Sequence, residues 1–265
     1  MIFSEQGQQL QAVLHNDKEG QELRPFWRRF FSFNWIFGTF LLVLICVPRF
    51  ILVLLANMKG SYGAIGLVMV LSALAPFVFL SKGGRTSIGI TRTPKYGTLL
   101  LGFLLGIAAA VVLHYAGQLV YGLSYRNWYV YIAESYNIPA GLQGSNRMIM
   151  FVIMAMVGMT FSPIGEEFFF RGLVHTSFAR SFGEKTALVV DCSAFALTHL
   201  AHFGLVFIDS RFQLYVIPGL LWMLAMFLTS MLFYRYKKKT GSLFGAVLCH
   251  AGFNLGMIYS IFYLL

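Results

Sequence analysis

Three ionisable side chains stand close together in the stretch GEEFFFRG, residues 165–172, of a chain that is otherwise poor in charge. On a helix, Glu167 and Arg171 are four residues apart and can form an ion pair. Glu166 points about 100° away from Glu167 and is left without a local partner. A structural ion cluster explains Glu167 and Arg171 well but explains Glu166 poorly, and Glu166 is therefore a candidate general base.

Two histidines lie three residues apart in SAFALTHLAHF, residues 193–203. His199 and His202 share one helix face, where each could be a hydrogen-bonded packing residue and where the pair could also hold a metal ion. Asp191 lies two turns earlier and could orient a histidine or lie on a proton path. The sequence leaves the roles of His202 and Asp191 open.

A third polar pair is formed by His250 and Asn254 in TGSLFGAVLCHAGFN, residues 240–254. The two residues are four apart, so both side chains project from one helix face. Each can donate a hydrogen bond in an apolar slot. Taken alone, the pair is typical of polar residues that join neighbouring membrane helices.

In one cavity, Glu166, His199, His250 and Asn254 would supply a carboxylate base, an imidazole and two neutral hydrogen-bond donors. These groups can activate a water molecule and stabilise an oxyanion. The sequence contains no H-E-x-x-H helix and no G-x-S-x-G turn, which are signatures of other hydrolases. The four polar residues, in a chain without these signatures, predict a hydrolase that is neither a zincin nor a serine hydrolase of the G-x-S-x-G type.

The alternative is a catalytic zinc site, with Glu166, His199 and either His202 or His250 as ligands. Three protein ligands and one water molecule are typical of catalytic zinc. We rank this alternative second because the ligands come from separate segments and form no zincin motif. We therefore predict that no cofactor is required, with Zn²⁺ as the alternative.

The composition is that of a polytopic membrane protein. Hydrophobic residues make up 58% of the 265 residues and charged residues only 11%, whereas a soluble domain has about 25% charged residues. The apolar residues occur in runs long enough, or nearly long enough, to span a bilayer as helices. These runs lie at 34–58, 62–81, 97–123, 147–164, 187–206, 213–234 and 242–264. They predict an all-α bundle of about seven transmembrane helices, seven or eight in number.

The net charge of +10 could indicate a nucleic-acid partner, but the basic residues cluster at the ends of the apolar runs. This pattern is typical of membrane topology signals beside anionic lipid, so we predict the bilayer, and no nucleic acid, as a partner. With the N-terminus in the cytoplasm, the cytoplasmic side collects fourteen basic residues: Lys18, Arg24, Arg28, Arg29, Lys82, Arg85, Arg92, Lys95, Arg180, Lys185, Arg235, Lys237, Lys238 and Lys239. The other side has four: Lys59, Arg126, Arg147 and Arg211.

The segment from 147 to about 182 would be about 50 Å long as one straight helix, longer than the hydrocarbon core of about 30 Å. Ser162 followed by Pro163 is a good pair for a helix N-terminus. We therefore expect a kink or a new helix start at this point, with Glu166 and Glu167 in the first turns of the second piece.

We expect a cytoplasmic N-terminal tail at residues 1–30, followed by one transmembrane domain at 31–265. The tail is polar and ends in the basic stretch RPFWRRF, which suits an uncleaved first span. Arg49, like Arg171, is a basic residue with apolar surroundings, and the sequence gives it no defined role.

Three ordered motifs make a family resemblance specific. EEFFFR, then FALTH ending at His199, then HAGFN from His250 to Asn254 match the patterns E-E-x-x-x-R, F-x-x-x-H and H-x-x-x-N. The chain resembles the CAAX protease and bacteriocin-processing family (CPBP, also called Abi), which includes the type II CAAX prenyl endopeptidases. The resemblance covers about residues 147–260, the expected catalytic core, whereas the first three runs are similar to the family only in hydropathy.

The resemblance implies a role for each matching residue. Glu166 matches the family's water-activating glutamate and His199 the histidine that helps to hold this water. His250 and Asn254 match the pair assigned to the oxyanion hole, and Glu167 and Arg171 match supporting residues.

We therefore predict an intramembrane endopeptidase of the glutamate type, in a multi-pass protein of a prokaryotic plasma membrane. Its substrates would be membrane-associated or lipid-modified peptides or proteins, in CAAX-type processing or in the maturation of a bacteriocin or signal peptide. A zinc-dependent membrane peptidase that uses the same residues is the alternative enzyme. The alternative without catalysis is a peptide-binding immunity or scaffold protein.

Overall fold

The computed structural model describes residues 22–138 and 143–265, and most of these residues are helical. Much of the predicted tail at 1–30, including Lys18, lies outside the described residues. The α-helices are α1 (Trp35–Lys59), α2 (Gly63–Phe79), α3 (Lys82–Ser87), α4 (Tyr96–Tyr121), α5 (Trp128–Ser135), α6 (Gly144–Glu166), α7 (His175–His199), α8 (Val216–Thr240) and α9 (Leu243–Tyr263). A 3-10 turn (Trp27–Arg29) precedes α1, and a π-helix (Glu167–Val174) joins α6 to α7.

The predicted all-α membrane bundle is confirmed, with one small addition. Among the described residues, five helical segments are long and apolar enough to cross a membrane: α1, α4, the segment 144–199, α8 and α9. Helix α2 is apolar but shorter. The segment 144–199 contains most of two predicted apolar runs, so each of the seven runs corresponds mainly to helix. The addition is an antiparallel hairpin of β1 (Leu205–Ile208) and β2 (Arg211–Leu214), which joins α7 to α8.

Local sequence signals set several helix ends. The Asn34 side chain accepts hydrogen bonds from two backbone N–H groups in the first turn of α1, and Ser242 caps α9 in a similar way. Asparagine and serine are favoured at this position because they satisfy N–H groups that have no partner within the helix. Gly60 ends α1 with a left-handed backbone, φ 64°, which glycine adopts at little cost.

The predicted helix start at Ser162 and Pro163 is wrong. Helix α6 continues through Pro163 to Glu166, and a π-helix follows directly. The Ser162 hydroxyl does not cap a helix but donates to the Glu166 carboxylate one turn later, at 2.6 Å. The non-helical backbone occurs at Gly183 instead, with φ 81° and ψ 167°. Single π-turns within helices are frequent at functional sites, and this one begins between the two glutamates.

Helix α9 lies at the centre of the bundle and packs closely on α4. A Cβ atom at Gly252 would overlap the Phe103 carbonyl oxygen, and one at Gly106 would overlap that of Cys249. Glycine at both contact points lets the two backbones approach, as is common between membrane helices. This contact holds α9, which carries His250 and Asn254, against the rest of the bundle.

The basic loops share one face of the bundle. The Leu243 amide donates to the Gly89 carbonyl at 2.8 Å, and the Lys95 ammonium donates to the Lys239 carbonyl at 2.7 Å. On the same face, the Ser81 amide donates to Glu22, whose carboxylate pairs with Arg180 at 2.5 Å. We call this end of the bundle the basic face. Its assignment to the cytoplasm remains a prediction from the basic-residue bias.

We expect the basic face to be cytoplasmic, because loops rich in lysine and arginine are retained there. In a variant without native cysteines, Thr86→Cys and Arg235→Cys should react in intact cells only with a membrane-permeant thiol reagent. The matched control is Arg126→Cys, which lies between α4 and α5 and should react with an impermeant reagent. Reaction of either basic-face cysteine with the impermeant reagent would reverse this topology.

Candidate active site

The four predicted catalytic residues line one cavity of about 170 Å³. Glu166 comes from the end of α6, His199 from the end of α7, and His250 and Asn254 from the middle of α9. The remaining lining is largely apolar and aromatic: Ile65, Met69, Ile132, Phe195, Trp222, Met226, Phe233, Phe253, Met257 and Ile258. The fold thus brings together side chains that are up to 88 positions apart (254 minus 166).

Glu166 is buried and does have partners, contrary to the prediction that it would lack a local one. Its Oε1 atom forms an ion pair with Arg49 Nη2 at 2.9 Å and accepts the Ser162 hydroxyl at 2.6 Å. Its Oε2 atom is also buried, but it has no hydrogen-bond partner among the described residues. One carboxylate oxygen is therefore held firmly, and the other is left for a ligand.

Arg49 is a residue of the cavity to which the sequence reasoning gave no role. It lies on α1, far from the matched motifs, and only 3% of it is exposed. The available signal was a lone arginine inside an apolar run, where an unpaired charge is costly and a partner must exist. The sequence did not show which of the acidic residues this partner is.

His199 presents a hydrogen-bond acceptor to the free oxygen of Glu166. Its Nδ1 atom lies 2.8 Å from the Phe195 carbonyl oxygen, which can only accept, so Nδ1 carries the proton. In the neutral ring, Nε2 then has a lone pair, and it lies 3.8 Å from Glu166 Oε2. Two acceptors at this separation do not bond directly, but one water molecule can donate a hydrogen bond to each.

The second glutamate has different partners. Glu167 Oε2 lies 3.0 Å from Arg171 Nε, which confirms the predicted ion pair between residues four apart. Glu167 Oε1 lies 2.8 Å from His250 Nδ1. Arg171 also donates to the Ser230 hydroxyl at 2.6 Å and stacks over the Phe195 ring at 4.4 Å. The adjacent glutamates therefore serve two separate clusters, one with Arg49 and one with Arg171.

His250 and Asn254 lie one turn apart on the cavity wall. Because Nδ1 of His250 faces Glu167, Nε2 is the nitrogen left for a ligand. The Asn254 amide nitrogen donates to the Gly158 carbonyl at 2.8 Å, which uses one of its two hydrogens and fixes the amide orientation. The ring of His250 stacks on Phe233 with centroids 4.5 Å apart. Both side chains are thus held in place by contacts outside the cavity.

His202 and Asp191 occupy different places. His202 lines the cavity and stacks on Tyr62, with ring centroids 6.3 Å apart and planes at 12°. Asp191 is outside the cavity lining and lies 2.7 Å from Nδ1 of His175. One of the two uses predicted for Asp191 was to orient a histidine. Asp191 does contact a histidine, but this residue, His175, is not one of the predicted site residues.

The side-chain geometry gives no support to the zinc alternative. Within residues 22–138 and 143–265, no three histidine, cysteine, aspartate or glutamate side chains are arranged to hold a metal ion. Among the proposed ligands, His250 directs Nδ1 to Glu167, and His202 stacks on Tyr62. That no cofactor is required remains a prediction.

A comparison with protein families identifies the segment that carries the site. Residues 148–256 match the family model for Rce1-like proteins, described as type II CAAX prenyl endopeptidase Rce1-like. The match includes Glu166, His199, His250 and Asn254 but not Arg49. No curated protein and no solved structure gives a significant match to the chain.

We expect Arg49→Met to destabilise the protein by about 3–5 kcal/mol, because it leaves the buried Glu166 carboxylate without its counter-charge. The matched test is the same substitution in a Glu166→Gln background, where no carboxylate charge remains to be compensated. Unfolding in detergent should show a clearly smaller loss from Arg49→Met in that background. Equal losses in the two backgrounds would show that Arg49 stabilises the fold independently of Glu166.

Proposed function

We propose that the chain is a membrane endopeptidase of the CAAX prenyl protease type that hydrolyses peptides by a metal-free glutamate mechanism. The match of residues 148–256 to the Rce1-like family model supports this proposal. The observation that carries this proposal is the buried Oε2 atom of Glu166, which has no hydrogen-bond partner in the described part of the chain and lies 3.8 Å from the Nε2 atom of His199. These two atoms define a place where a water molecule can be bound and activated.

The catalytic water donates one hydrogen to Glu166 Oε2 and the other to His199 Nε2. Its oxygen lone pairs then point into the cavity, toward the carbonyl carbon of a bound peptide. As the water oxygen forms a bond to this carbon, a water proton passes to Glu166. The protonated Glu166 then gives a proton to the leaving amine as the C–N bond breaks, which regenerates the carboxylate.

Arg49 and Ser162 prepare Glu166 for this role. Both bind Oε1, at 2.9 and 2.6 Å, so the carboxylate cannot rotate freely and Oε2 faces the water position. The positive charge of Arg49 also favours the ionised form of Glu166 in an apolar site. A general base must be ionised before the reaction, so Arg49 supports the base without contacting the substrate.

His250 and Asn254 stabilise the oxyanion of the tetrahedral intermediate. Each donor of this kind contributes about 3–4 kcal/mol of transition-state stabilisation. Asn254 has a second amide hydrogen beyond the one given to Gly158. His250 can donate from Nε2 only when the Glu167–His250 pair holds an additional proton, either on the imidazole or on the carboxyl group.

The cavity lining favours apolar substrates near the cleaved bond. Methionine, isoleucine and phenylalanine side chains surround the four catalytic residues. A lining of this kind suits an apolar peptide segment or a lipid group attached to one. We therefore propose membrane-associated or lipid-modified peptides as substrates. We also propose that the protein lies in a prokaryotic plasma membrane.

The two glutamates should respond differently to substitution. Glu166→Gln, His199→Ala and His250→Ala should abolish turnover of a panel of membrane-associated peptides, while each protein keeps its detergent-stable fold. Glu167→Ala and Arg171→Ala should also lower stability, by about 3–5 kcal/mol, because each breaks a buried ion pair. If Glu166→Gln cleaves a substrate as fast as the unmodified protein does, Glu166 is not the base.

The metal-free mechanism predicts that active purified protein contains well under one equivalent of zinc by elemental analysis. His202→Gln should retain most of the activity, because His202 stacks on Tyr62 and is not one of the two residues proposed to hold the water. A stoichiometric metal whose removal and return stops and restores activity would replace this mechanism by the zinc alternative.

A further inference from the structure

A second cavity lies at the basic face, apart from the active site. Its volume is about 460 Å³, and its lining includes two arginines, a glutamate, a serine and two phenylalanines: Arg28, Arg180, Glu22, Ser32, Phe31 and Phe33. None of the proposed catalytic residues belongs to this lining. Most of the lining comes from the segment that leads into α1, and Arg180 comes from the first part of α7. We call this space the basic-face cavity.

The basic-face cavity has walls that are held by packed elements. The Ser81 amide donates to the Glu22 carbonyl oxygen at 2.7 Å. A Cβ atom at Gly84 would overlap the same oxygen, so the backbone of α3 lies directly against this segment. From the other side, Arg180 forms an ion pair with Glu22 at 2.5 Å, and its guanidinium carbon lies 5.4 Å from the centre of the Phe33 ring. These contacts fix the cavity at the junction of α3, α7 and the segment before α1.

The charges of the lining favour an anion. Two arginines and one glutamate give the lining a net charge of +1 (2 minus 1). The ion pair between Arg180 and Glu22 is neutral as a whole, so Arg28 supplies the excess charge. Arg28 is exposed, and its Nε atom donates to the Leu23 carbonyl at 2.8 Å, which orients the guanidinium group and leaves its two terminal nitrogens for a ligand. Such a fork of donors matches the oxygens of a phosphate group.

Aromatic residues place the basic-face cavity at the depth of the lipid headgroups. Trp27 and Trp35 lie in and directly after the lining segment, and both are at least partly exposed. Phe26 and Phe30 are exposed beside them. Tryptophan side chains collect where the hydrocarbon core meets the headgroups, and α1, which begins at Trp35, is one of the helices long enough to span this core. Anionic lipids carry their phosphate groups at this depth.

An apolar stripe on α1 starts at the basic-face cavity and runs into the membrane. Phe31, in the lining, stacks on Phe40 with ring centroids 4.8 Å apart. Phe40 is followed on the same helix face by Val43, Leu44 and Val47, all of them exposed. A free phosphate ion would make no use of this stripe, whereas the acyl chains of a phospholipid would pack along it. The cationic cavity and the apolar stripe together therefore fit a lipid.

We propose that the basic-face cavity binds the phosphate group of an anionic phospholipid. Arg28 and the Ser32 hydroxyl donate hydrogen bonds to the phosphate oxygens, and Arg180 adds a second positive charge beside them. The single negative charge of the phosphodiester balances the net charge of the lining. A choline or ethanolamine headgroup would place another positive charge beside Arg28 and lose this balance, so an anionic headgroup such as that of phosphatidylglycerol is preferred.

A lipid bound in this way joins two parts of the chain. Arg28 belongs to the segment that leads into α1, outside the family match, and Arg180 belongs to α7, inside it. Helix α1 also carries Arg49, the partner of Glu166. A ligand that binds only the folded protein stabilises it, and this lipid does so by holding α1 on the segment that carries the site. The stabilisation requires no catalysis, so it can be measured apart from the proposed function.

The test measures lipid binding by the purified protein in a mild detergent. Short-chain phosphatidylglycerol, short-chain phosphatidylcholine and inorganic phosphate are titrated separately, and the midpoint of thermal unfolding gives the apparent affinity for each. Arg28→Gln removes the main phosphate donor, and Ser32→Ala is a second variant in case Arg28→Gln does not fold. The matched control is Arg24→Gln. It removes the same charge and a similar hydrogen bond, from Nε to the Leu80 carbonyl at 3.3 Å, but Arg24 does not line the cavity.

We expect phosphatidylglycerol to stabilise the protein at concentrations about fivefold lower than phosphatidylcholine does, because the lining has one excess positive charge. Arg28→Gln should weaken phosphatidylglycerol binding about tenfold, since it removes charge-assisted hydrogen bonds, whereas Arg24→Gln should weaken it less than about twofold. Ser32→Ala should also weaken it.

Equal affinities for the two lipids, or equal losses in Arg28→Gln and Arg24→Gln, would overturn the inference, because binding would then reflect only the general charge of the basic face. Unchanged binding in both Arg28→Gln and Ser32→Ala would also contradict it. Inorganic phosphate that binds as tightly as phosphatidylglycerol would show that the site takes a free ion and not a lipid. The measurement involves no turnover, so a failure of the catalytic assignment would leave its result unchanged.

Discussion

Two adjacent carboxylates must be accommodated inside an apolar helical bundle, and this requirement explains much of the site. A charged side chain without a partner is costly in such an environment. Glu166 is paired with Arg49 at 2.9 Å, and Glu167 with Arg171 at 3.0 Å. Each glutamate thus has its own arginine, and the two pairs place no net charge in the core.

The two ion pairs differ in what they leave free. Glu167 has one oxygen near Arg171 and the other near His250, so both oxygens face protein groups. Glu166 has both of its partners, Arg49 and Ser162, on one oxygen, and its second oxygen is buried beside the cavity. This asymmetry distinguishes a supporting carboxylate from one that can bind and activate water.

The Arg49 pair also connects two parts of the chain that the family match separates. Arg49 lies on α1, outside the matched residues 148–256, whereas Glu166 lies within them. The site is consequently completed by a helix whose resemblance to the family was only in hydropathy. The same helix ends at Lys59, three residues before Tyr62, which also lines the cavity.

The sequence by itself determined the all-α membrane fold, because a long apolar run with basic ends can satisfy its backbone hydrogen bonds in a bilayer by forming a helix, and few other structures can do so. It also predicted the Glu167–Arg171 pair and the candidates Glu166, His199, His250 and Asn254, because these depend on helix periodicity and on local motifs. It did not predict the continuous helix through Pro163 or the hairpin after α7, since local preferences at these places were overridden by packing. The partner of Arg49 and the gathering of the site residues around one cavity were decided only by the tertiary structure. Both depend on which helix faces lie together across the bundle, at separations such as the 117 positions between Arg49 and Glu166, where local spacing carries no information.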